Sequence, residues 1–92
     1  MSDRATALRG SDYARLIIDD ANEELVTIIV DAINKLTASH HTRFADQIVA
    51  FTQMLAQMIA GASPDIREDL AAAIVVMLDA YTAGELRRGR AA

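Results

Sequence analysis

Apolar residues recur along most of this chain at intervals of three and four, the spacing that sets them on one side of an α-helix. Within residues 12–38 the polar positions Asp20, Glu24, Thr27, Asp31 and Lys35 fall on a single stripe. Asp31 therefore belongs to a wet edge, although it stands inside an apolar run. Beyond that stripe, Ile18, Leu25, Ile29 and Leu36 line one side, while Val26, Val30 and Ile33 line another. A helix with so wide an apolar arc needs covering from more than one direction. Asp20 and Glu23 have the spacing of a capping box, so this helix has a natural place to divide.

Two further helical segments follow. Residues 42–60 place Arg43, Asp46, Gln47, Gln53 and Gln57 outside, with Phe44, Ile48, Phe51, Leu55, Met58 and Ile59 inside. Residues 64–83 place Asp65, Glu68, Asp69 and Asp79 outside, with Ile66, Leu70, Ala73, Ile74, Met77, Leu78 and Tyr81 inside. Val76 departs from this scheme, because it lies on the line 65–69–72–76–79 that should face water. Punctuation separates the segments: Gly10-Ser11, Ser39-His40-His41-Thr42, and Gly61-Ala62-Ser63-Pro64. In the last of these, Gly61 suits a left-handed residue after a helix, Ser63 a cap and Pro64 a first turn. No period-two alternation or glycine-rich hairpin turn points to a strand.

The expected fold is all-α. It is a three-helix, up-down-up protomer of one domain, the short links implying antiparallel neighbours. Its first helix (12–38) can split near Asp20, its second covers 42–60 and its third 64–83. A flexible lead (1–10) and a flexible basic tail (84–92) flank them, punctuated at Gly10 and again at Gly84 and Gly89.

Composition sharpens this picture. The chain has 92 residues, 52 % of them hydrophobic. So short a chain buries only about 60–65 % of its unfolded surface, which leaves little interior for that many apolar groups. Association with a second chain is the natural outlet. Cysteine is absent, which excludes disulfides and thiolate zinc sites. Residues 1–10 lack the apolar stretch of a secretory signal, and the longest apolar run, Leu70 to Leu78, is about half a membrane span. A cytoplasmic location with no membrane partner is expected. The net charge of −4 disfavours nucleic acid, because an acidic chain gains little from phosphates.

Candidate chemistry is sparse. His40 and His41 lie in a turn near Asp46, but metal sites on helices want ligands three or four apart, and no His-x-x-x-His or Glu-x-x-His occurs. They are candidate ligands without supporting spacing, and no metal or other cofactor is expected. The carboxylates Asp19, Asp20, Glu23 and Glu24 read as a solvated face rather than an acid–base pair. The serines sit at termini and caps, with no nucleophile elbow and no phosphate-cradling loop. A recognition helix for DNA would carry Asp65, Glu68 and Asp69 against phosphate, with Arg67 alone to oppose them. Arg87, Arg88 and Arg90 read as a solvated end. Met58 and Met77 read as core filler, while Met54 lies between faces.

These readings converge on a non-enzymatic helical module for protein–protein contact, a small regulator or adaptor whose expected partner is a second copy of itself. Its expected interface comprises Leu25, Val26, Ile29, Val30, Ile33 and Val76. The alternative is a ligand- or metal-binding bundle using His40, His41 and nearby carboxylates.

Overall fold

The computed structural model describes residues 2–91, with side chains from 9 to 89. It is all-helical, with no strand among the described residues. Four helices replace the expected three: α1 (Ser2–Asp20), α2 (Glu23–Ser39), α3 (Phe44–Gly61) and α4 (Arg67–Ala91). Two compact units result, one made of residues 1–19 with 62–92, the other of residues 20–61.

The expected long first helix divides where a cap is available. Asn22 is extended (φ −92°, ψ 109°), and its side-chain oxygen accepts from the Leu25 backbone N–H. Its own carbonyl accepts from Val26 at 2.9 Å, and Glu23 and Glu24 complement the dipole of the first turn. The break falls directly after Asp20, where α1 ends, but the residue that caps α2 is Asn22 rather than Asp20.

The lead read as flexible is instead helix from Ser2, and Gly10 is not its terminator. A Cβ at Gly10 would stand 3.0 Å from the Ala72 Cβ and 3.1 Å from the Ala72 carbonyl. Glycine is there because α1 and α4 touch backbone to side chain. Around that contact Gly10 and Ala14 are buried, Tyr13 and Ile17 half-buried, an i, i+3, i+4, i+7 face of α1. Opposite them Ala73 is fully buried, with Ile66, Leu70 and Met77 half-buried beside it. Small residues hold this unit together by close approach rather than by filling a large core.

The same contact corrects the outer line of the last segment. Asp69 pairs with Arg9 at 3.5 Å, and Ala72 lies under Gly10. Positions 69, 72 and 76 therefore border the helix contact, and Val76 is half-buried rather than bare. Its neighbour Val75 is the exposed β-branched residue, at 59 %. Leu78 and Tyr81, read as inside, are exposed.

The C-terminal segment read as a flexible tail continues α4 to Ala91. Gly84 and Gly89 each cost a helix about 1 kcal/mol relative to alanine, too little to stop one without proline. An ion pair between Arg88 and Glu85 spans one turn of it. Gly61 ends α3 without a left-handed conformation. A turn in which the Ile66 N–H donates to the Ser63 carbonyl at 3.0 Å then leads into α4. Met1 and Ala92, and the side chain of Arg90, lie outside the described residues.

Gly10 and Gly84 should respond oppositely to a larger side chain. Gly10→Val pushes against the Ala72 backbone and should cost about 1–3 kcal/mol, the scale of an overpacked contact. A Cβ at Gly84 would meet only the tip of Arg87, at 3.9 Å. Gly84→Ala should therefore gain up to about 1 kcal/mol of helix propensity. Thermal or urea denaturation followed by circular dichroism measures both.

Candidate functional site

The α2–α3 unit is an antiparallel hairpin closed by residues 40–43. Its turn is a Schellman motif built without glycine. The His41 N–H donates to the Ala38 carbonyl at 3.3 Å, and the Thr42 N–H to the Thr37 carbonyl at 3.3 Å. His41 occupies the left-handed position, φ 50°, where a residue with a Cβ is strained by roughly 1–2 kcal/mol. Thr42 then braces the entry to α3. Its hydroxyl donates to the Thr37 carbonyl at 3.2 Å and accepts from the Gln47 amide at 2.8 Å. Asp46 completes the start of α3 by accepting from the Arg43 backbone N–H at 3.1 Å, the returning half of a capping box.

His40 is tied into the end of α2. Its Nδ1 lies 3.0 Å from the Leu36 carbonyl and 3.1 Å from the Ser39 hydroxyl. A carbonyl only accepts, so Nδ1 carries the proton in that bond. His41 points into solvent at the left-handed corner. The adjacent histidines thus have different structural duties, and no group of three or more His, Cys, Asp or Glu that could hold a metal comes together among the described residues.

Beside this turn runs an open groove of about 540 Å³. Ile33, Leu36, Ala50, Phe51 and Met54 form its walls, and His40, Thr42, Asp46 and Gln47 its polar end. The polar groups at that end already bond within the turn. What the groove offers a visitor is apolar wall.

Five of the six expected interface residues, Leu25, Val26, Ile29, Val30 and Ile33, lie on α2. Val76 belongs to the other unit. Ile33 is half-buried against the hairpin, as is Thr37 one turn on, whereas Leu25, Val26, Ile29 and Val30 are exposed. On α3, Phe51, Leu55 and Ile59 are half-buried at i, i+4, i+8 and mark the side turned to α2. Phe44, Ile48 and Met58, read as inward, are exposed, Phe44 by 80 %. Neither α2 nor α3 buries a single residue.

Sequence reasoning missed the contribution of α3 to this surface. Met54, half exposed on the groove wall, was the available signal, since its position between faces is what a second neighbour would use. The acids Asp19, Asp20, Glu23 and Glu24 are all exposed, as a solvated face requires. Compared with known proteins, the chain matches no family model, no curated protein and no solved structure.

Two measurements bear on the turn. His41→Gly should raise stability by about 0.5–1 kcal/mol, relief of left-handed strain being partly offset by the entropy of glycine. Thermal melting should move up by a few degrees, while His41→Val should lower it. Melts of the chelated protein with and without zinc should coincide. A linked gain of several kcal/mol would show tight metal binding instead.

Proposed function

We propose that this protein is a non-enzymatic helical interaction module, a small regulator or adaptor acting through apolar helix faces, with a second copy of itself as first partner in a homodimer. The observation that carries this is the absence of any buried residue in α2 and α3, despite their wealth of Leu, Ile, Val and Met. Eleven large apolar side chains of that hairpin are exposed: Leu25, Val26, Ile28, Ile29, Val30, Leu36, Phe44, Ile48, Val49, Met54 and Met58. Contiguous apolar patches beyond a few hundred Å² on a folded protein mark contact surfaces. The polar side chains near them are spent on caps and turns, which supports a binding role over a catalytic one.

The proposal is for a cytoplasmic protein. No helix among the described residues is long and apolar enough to cross a membrane. A second reading, a bundle that takes a small apolar ligand beside His40, has the 540 Å³ groove in its favour.

Size-exclusion chromatography with light scattering should report about twice the 10.0 kDa chain mass at tens of micromolar. Val30→Asp, which sets a charge in the exposed arc of α2, should move that mass toward one chain or unfold the protein. A folded species of one-chain mass that is indifferent to Val30→Asp and binds no other protein would refute the reading.

A further inference from the structure

We draw no further inference here: the strongest candidate, the open apolar groove beside His40 in the α2–α3 hairpin, carries nothing because nothing in the structure shows what covers it.

Discussion

A helix has one neighbour in a two-helix unit, and one neighbour can cover only part of its circumference. Most of this protein follows from the conflict between that limit and the apolar arcs its sequence writes. On α2 the arc runs through Leu25, Val26, Ile28, Ile29, Val30, Ile33 and Leu36, yet α3 half-buries only Ile33 and Thr37 along the whole helix. On α3 the contact row is Phe51, Leu55 and Ile59, with Ile48, Met54 and Met58 outside it. Each fully buried Leu, Ile or Met would contribute about 1.5–3 kcal/mol relative to exposure. None in this hairpin receives that in full. The missing term is large compared with the 5–15 kcal/mol by which folded domains are stable.

The two units meet the same shortage in different ways. Between α1 and α4, Gly10, Ala14, Ala72 and Ala73 let the helices approach until backbone atoms nearly touch. Close approach gains dispersion contacts over many atoms without large side chains. The Arg9–Asp69 pair lies at the edge of that contact, half exposed, and adds at most about 1 kcal/mol. The hairpin has no such small-residue contact, and a groove walled by Ile33, Leu36, Phe51 and Met54 opens between its helices.

Helical class was legible in the sequence, because it depends on residue spacing alone; the stripe from Asp20 to Lys35 was not, since the break at Asn22 puts Asp20 on α1 and α2 is exposed on its apolar side as well. The turn at 39–42 was legible too, although its left-handed residue is His41 rather than a glycine, a choice no spacing rule reveals. What could not be read was the meaning of glycine and aspartate in the flanking segments. Gly10 reads as punctuation until Ala72 is known to lie against it. Asp69 reads as a wet position until Arg9 reaches it. Both are tertiary facts, and they moved a helix start by ten residues and turned the outer line 69–72–76 into a contact. Val76 was read as bare for this reason alone, whereas on α2 Leu25, Val26, Ile29 and Val30 are exposed and Ile33 is half-buried.

The polar groups at the groove are bonded within the α2–α3 connection rather than turned toward the groove. Thr42 and Gln47 bond each other, Asp46 caps Arg43, and His40 donates to Leu36. Each of these groups stands beside an apolar wall, where a ligand-binding site would aim free donors and acceptors inward. Here their hydrogen bonds are turned back into the α2–α3 connection, so they fix the angle at which the hairpin presents its face. An apolar surface gives little directional information by itself, since the hydrophobic effect is non-directional. Specificity on such a surface has to come from shape, and shape depends on how rigidly two helices are held. The capped, hydrogen-bonded turn supplies that rigidity at the closed end of the hairpin, next to the groove. On this reading the histidine turn serves recognition by holding Leu36, Ala50 and Met54 in register, without touching what they recognise.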